Sequence, residues 1–153
     1  MTFHRHLPAA ALAAALAAWL AVFAAAAEEL RHTPAGVAYL SGGVGIDEAR
    51  AFAAESAHHA LAVRTAARGS GAWLADVDLT ILDAHGREVF RQRLDGPWLL
   101  IDLPPGRYEI VGEHEGEVRR TAVTLPARGH RQAMLYFPVQ DETRPHRDEE
   151  LRP

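Results

Sequence analysis

The chain has 153 residues, 48% apolar and 24% charged, enough for one ordinary globular domain and too few for two sizeable ones. It contains no cysteine, so disulfides, thiol chemistry and a lipid-modified cysteine anchor are excluded. Arginine supplies all 16 basic side chains and asparagine is absent, which removes lysine Schiff-base chemistry, lysine-assisted phosphate binding and N-linked glycosylation, while a net charge of −4 argues against nucleic acid as a partner.

Residues 1–27 carry a short basic start at Arg5 and then an apolar run from Leu7 to Ala27 that ends in small residues directly before Glu28 and Glu29. That pattern predicts a secretory signal peptide, with Ala25 and Ala27 framing the cleavage site. The competing reading is an uncleaved membrane helix of about 20 residues. Alanine dominates the run, however, and contributes little to insertion beside leucine, isoleucine or phenylalanine. Removal of the segment takes Arg5 with it and leaves 15 arginines against 20 acids. The expected location is periplasmic or secreted, with membrane contact only through an uncleaved form.

Residues 28–44 include Pro34, Gly36 and the SGGVG punctuation that begins at Ser41, and are expected to form a leader arm and Gly-rich loop. Residues 45–59 have helix-forming composition, with Asp47 and Glu48 in the first turn where they complement the helix dipole. Ala49, Phe52, Ala53 and Ser56 share one face of that helix, a weakly apolar stripe able to lie on a sheet.

From residue 60 the period changes to two. Leu61, Val63 and Thr65 alternate up to the RGSG break; Val77, Leu79 and Ile81 then face one way while Asp76, Asp78 and Thr80 face the other. Asp83-Ala84-His85-Gly86 predicts a turn with Gly86 at positive φ, and REVFRQRL is the return strand. After Asp95-Gly96-Pro97 comes WLLIDL, with Trp98 and Leu100 expected inside, then a sharp break at Pro104, Pro105 and Gly106. Tyr108 begins the next inward row, a hairpin closes near Gly116, Val118 to Leu125 returns, and QAMLYFPV is the last strand. Turn signals every 8 to 12 residues indicate a mainly β, antiparallel sandwich of about seven strands over residues 60–138. Residues 139–153 are charged and proline-bearing with almost no large apolar side chain, and are expected to be a disordered tail.

ADVDLTILDAHGREVF followed by DLPPGRYEI resembles the carboxypeptidase regulatory-like domains, a prealbumin-like β-sandwich group, and GGVGIDEARAF leading into it looks like small exported bacterial proteins that carry such a domain alone. The resemblance covers roughly residues 39–138. It implies an Ig-like or prealbumin-like sandwich and no known reaction, because such modules accompany carboxypeptidases, adhesins and transporters alike. The prealbumin-like hydroxyisourate hydrolases would require a terminal Tyr-Arg-Gly-Ser, whereas here Arg68-Gly69-Ser70 follows an alanine and the chain ends in Glu-Leu-Arg-Pro.

Three serines, Ser41, Ser56 and Ser70, lie outside any nucleophile elbow and read as turn or loop residues. The GGVG segment before a helix could cradle an anion, but Asp47 and Glu48 occupy that place. Asp76, Asp78, Thr80, Asp102 and Glu109 could form a calcium ladder, against the ordinary reading of a solvated face. Histidine carries the sharper alternative: His58, His59, His114 and His130 are candidate ligands for zinc or copper, although no H-x-H or HExxH spacing supports them. Gly86, Trp98, Pro104, Pro105, Gly106 and Tyr108 have structural roles. The sequence therefore points to an exported, non-catalytic binding module of the cell envelope that needs no cofactor and takes a protein or a glycan, with a weak periplasmic metal binder or an unrecognised hydrolase as alternatives. Oligomeric state is left open.

Overall fold

The computed structural model describes residues 30–34 and 36–138; the expected signal peptide and charged tail lie outside the described residues. Strands β1 (Arg31–His32), β2 (Ala38–Gly42), β3 (Leu61–Ala67), β4 (Asp78–Asp83), β5 (Glu88–Arg93), β6 (Trp98–Ile101), β7 (Gly106–His114), β8 (Glu117–Leu125) and β9 (Arg131–Phe137) form two sheets, and one helix, α1 (Ile46–Glu55), continues into a 3-10 turn at Ser56–His58. The sheet orders are β1-β2-β6-β3-β9 and β5-β4-β7-β8.

The two sheets pack as a sandwich over one core. Val77, Leu79, Ile81, Phe90, Tyr108 and Ile110 from the four-stranded side meet Leu61, Val63, Leu99, Ile101, Leu135 and Phe137 from the five-stranded side. The period of two read from Val77 to Ile81 is thus the inward row of β4. A bulge between Ile81 and Leu82 lets the β4–β5 hairpin close over the Asp83–Gly86 turn, where Gly86 has φ of 76°.

Two features depart from the sequence expectation and a third realises it. The first is the leader arm: residues 38–42 are not an arm but a strand paired with β6, extended by the two-residue β1, so nine strands stand among the described residues instead of about seven and the sandwich starts well before residue 60. The apolar Tyr39 and Leu40 are used on opposite faces. Tyr39 meets Phe90 edge-on in the core, with centroids 5.1 Å apart, and Leu40 lies under the helix.

The second is direction. β9 runs parallel to β3, register Leu61 with Arg131 through Ala67 with Phe137, so the sheets are antiparallel-rich and not wholly antiparallel. A parallel pair needs a long crossover, and here nearly the whole sandwich provides it.

The third is the outer face of the five-stranded sheet, which is covered in part. Helix α1 lies across it with Phe52 completely buried against Leu40, Ala62, Trp98 and Leu100, forming a second, smaller core. This explains why WLLI is buried at every position: Trp98 and Leu100 face the helix while Leu99 and Ile101 face the sandwich. Of the expected helix stripe, Phe52 and Ser56 are buried and Ala53 is exposed. Burial of one phenylalanine contributes about 2 to 3 kcal/mol, so a single side chain dominates the docking of α1.

Candidate functional site

Between the start of α1 and β3 the covered face opens into a groove of about 400 Å³. Its floor follows from β3 register. Leu61, Val63 and Thr65 point into the sandwich, so Ala62 and Arg64 point out; Ala62 is capped by Phe52, and Arg64, farther along, escapes the helix. The chain after β3 turns back through Arg68–Gly71, and an isolated bridge from Trp73 to Ala66 sets the Trp73 indole beside Arg64.

Arg64 lies against two indoles. Its guanidinium carbon is 4.1 Å from the Trp73 ring centroid and 4.3 Å from that of Trp98, distances at which a cation is held by the ring quadrupole. Trp98 is in turn 6.2 Å from Phe52, giving a ladder Phe52–Trp98–Arg64–Trp73 that runs from the buried helix face to a tryptophan 48% exposed. Burial pulls the Arg64 pKa below its ordinary value, with the Tyr136 hydroxyl opposing the shift. Guanidinium remains charged regardless at neutral pH. The Nε of Arg64 is buried with no hydrogen-bond partner among the described residues.

The remaining lining is Gly43, Val44, Gly45, Ile46, Ala49, Arg50 and Ala53. Val44 and Ile46 stand 69% and 74% exposed at the mouth. The glycine loop permits this approach: Gly43 has φ of +83°, and a Cβ there would come within 2.4 Å of the Trp98 ring. No family model matches the chain, and no curated protein does.

The four candidate metal ligands are not gathered. No group of three or more His, Cys, Asp or Glu side chains placed to hold a metal ion occurs among the described residues. His59 is mostly buried in a structural clasp: Nδ1 lies 3.0 Å from Asp102 Oδ2, Nε2 lies 3.6 Å from Glu55 Oε1, and the other Asp102 oxygen accepts the Ala60 N–H at 2.9 Å. His114 packs edge-on against Phe137, with ring centroids 5.7 Å apart. His58 is exposed in the 3-10 turn and His130 sits before β9. His58 and His59 adjoin at the end of the 3-10 turn, His114 ends β7 and His130 precedes β9, so the described residues do not gather the four at one point.

The other candidates are tied into the fold as well. Ser41 Oγ accepts from the Asp95 N–H at 3.0 Å, Ser56 Oγ donates to the Ala53 carbonyl at 2.8 Å, and Ser70 Oγ accepts from the Ala72 N–H at 3.2 Å. The backbone N–H groups of Val44 and Gly45 donate to the Glu48 carboxylate, at 3.0 and 3.4 Å, so the acid fills the place a phosphate would take. Asp76 and Asp78 both face Arg93, at 3.2 and 3.6 Å, and Asp102 is committed to His59. These pairings replace the calcium ladder.

Pro104 receives a 2.8 Å hydrogen bond from the Tyr108 hydroxyl, which pins the corner between β6 and β7, while Pro105 is exposed. Burial, assisted by the nearby Asp83 carboxylate, raises the Tyr108 pKa. Gly106 is not among the glycines at positive φ, and a Cβ would sit 3.6 Å from the Tyr108 ring in ordinary contact, so the corner does not need glycine there. Trp98 is buried as expected and also walls the groove. Arg64 and Trp73 were not legible as a pair, nine residues apart across a glycine break; the one available signal was a tryptophan placed in an otherwise small and polar turn.

Proposed function

We propose that the protein is an exported, non-catalytic binding module of the cell envelope, built on a carboxypeptidase regulatory-like, prealbumin-like sandwich, and that the groove walled by Trp73 and Trp98 is its working surface. The observation carrying this reading is the Arg64 guanidinium beside two indoles, with its Nε unpartnered among the described residues. Arginine stacked on tryptophan is a recognition element, not a reaction centre. Export rests on the signal-like residues 1–27, and the fold family on the residues from Ala75 to Ile110.

The test is in-cell crosslinking of the tagged protein, followed by mass spectrometry of captured proteins and glycans and of its own N-terminus. The expected outcome is an N-terminus at Glu28 and an envelope component whose capture falls on Trp73→Ala. A retained N-terminus would overturn export, and capture of nothing above an unrelated exported control would overturn the binding reading.

A further inference from the structure

We propose that the groove binds a peptide segment of a partner protein in which a carboxylate adjoins a bulky apolar side chain, the carboxylate pairing with Arg64 and the apolar group packing on Trp73, Val44 and Ile46. This deepens the binding-module reading and rests on it.

Charge complementarity comes first. The chain is acidic overall, with 20 acids against 16 arginines, yet the charged residues lining this groove among the described residues are Arg50 and Arg64, with no acid among them. Arg50 is paired with Asp47 at 3.2 Å in solvent, whereas Arg64 has no ion pair among the described residues. The Arg64 guanidinium carbon lies 4.1 Å from one indole centroid and 4.3 Å from the other, and a carboxylate arriving beside these rings can take two N–H donors of the fork with its two oxygens. Flanking low-polarity walls strengthen such a pair relative to one in open water.

The walls then separate peptide from sugar. A saccharide carries several hydroxyl donors that require acceptors on burial. Besides the two arginines, the lining side chains among the described residues are aliphatic or tryptophan, and none of them carries a carboxylate, amide or hydroxyl group. Aliphatic walls beside one cation suit a leucine-like or aromatic side chain next to an aspartate or glutamate. A volume near 400 Å³ accommodates that pair of side chains and little more, within the ordinary range for small binding sites.

The tryptophan distribution makes the test direct. The chain has three tryptophans, and Trp19 lies in the expected signal segment, so the chain from Glu28 onward carries Trp73 and Trp98 alone, both in the groove. This is the form that the export reading expects in the envelope, and its far-UV melting is first compared with that of the full chain. Randomised seven-residue peptides displayed on phage would be selected against it, and the selected sequences titrated as synthetic peptides while tryptophan emission is followed. The expected result is enrichment of an acid beside a large apolar residue, saturable emission change, and weakening by about 10- to 100-fold on Arg64→Gln or on replacing the peptide acid by its amide. Arg64→Lys should weaken binding as well, since charge without the planar fork loses the two-bond geometry. Arg64 stacks on Trp98 of the outer core, so far-UV melting of each variant is needed to separate loss of fold from loss of binding, and Arg64→Lys, which keeps the aliphatic stem and the charge, supplies the milder control.

Selected peptides lacking an acid, or bound equally by Arg64→Gln, would overturn the proposal, as would acidic glycans binding in place of peptides. Loss of peptide binding with envelope capture intact removes this inference and leaves the module reading standing.

Discussion

At the level of single residues, glycine and aspartate show how local chemistry is decided by neighbours. Gly96 has no unusual φ, yet a Cβ there would lie 2.2 Å from the Gly42 carbonyl oxygen, a backbone atom that cannot move aside. Gly96→Ala should therefore cost about 2 to 3 kcal/mol in urea unfolding, the range for forced overpacking, while Gly106→Ala should change stability by less than about 0.5 kcal/mol. Two equal effects would contradict this account. Asp83 is a different case: its side chain is 14% exposed, and burial pushes its pKa up, but hydrogen bonds from the Arg87 side chain and from the Arg87 and His85 N–H groups outweigh that and hold it at about 2 against an ordinary 3.8. A depressed carboxylate stabilises the fold above its unfolded pKa and loses that contribution as pH falls through its folded one. The stability difference between wild type and Asp83→Asn should hold steady above pH about 5 and shrink between pH about 4 and 2.

For the elements, α1 is fixed to the sheet by one large side chain, Phe52, and by a clasp on Glu55 three residues later. Phe52→Ala removes the centre of the outer core and should destabilise by about 3 to 4 kcal/mol, with amide exchange rising first in α1. The clasp is worth less. His59 lies between Glu55, the last residue of α1, and Asp102, just past β6, joining the two elements that Phe52 also joins. A double-mutant cycle of His59→Ala with Asp102→Ala should give a coupling of about 0.5 to 2 kcal/mol, and a coupling of zero would mean the two side chains act apart. Addition of zinc should leave the melting temperature of wild type and His59→Ala equally unmoved, because His59 faces Glu55 and Asp102 and no group of three or more side chains placed to hold a metal occurs among the described residues.

The whole molecule depends on its last strand. β9 places Leu135 and Phe137 in the core and is the sole outer neighbour of β3 in the sheet, so a chain ended after Gly129 should lose cooperative unfolding altogether. Much of the architecture was readable in the chain: the alternation at Val77–Ile81, the Asp83–Gly86 turn, the burial of Trp98 and the helix near residues 45–59 all follow from local pattern, because strand period and turn chemistry act between residues a few positions apart. What the sequence by itself determined is therefore a mainly β chain with one short helix and its main turns. Only the tertiary structure decided that Tyr39 and Leu40 belong to a strand, that β9 runs parallel to β3, that Asp102 clasps His59, and that Arg64 lies against both Trp73 and Trp98. Each of these depends on partners 9 to about 70 positions away, brought together by packing of the two sheets and the helix, and no local pattern encodes which distant side chain will arrive.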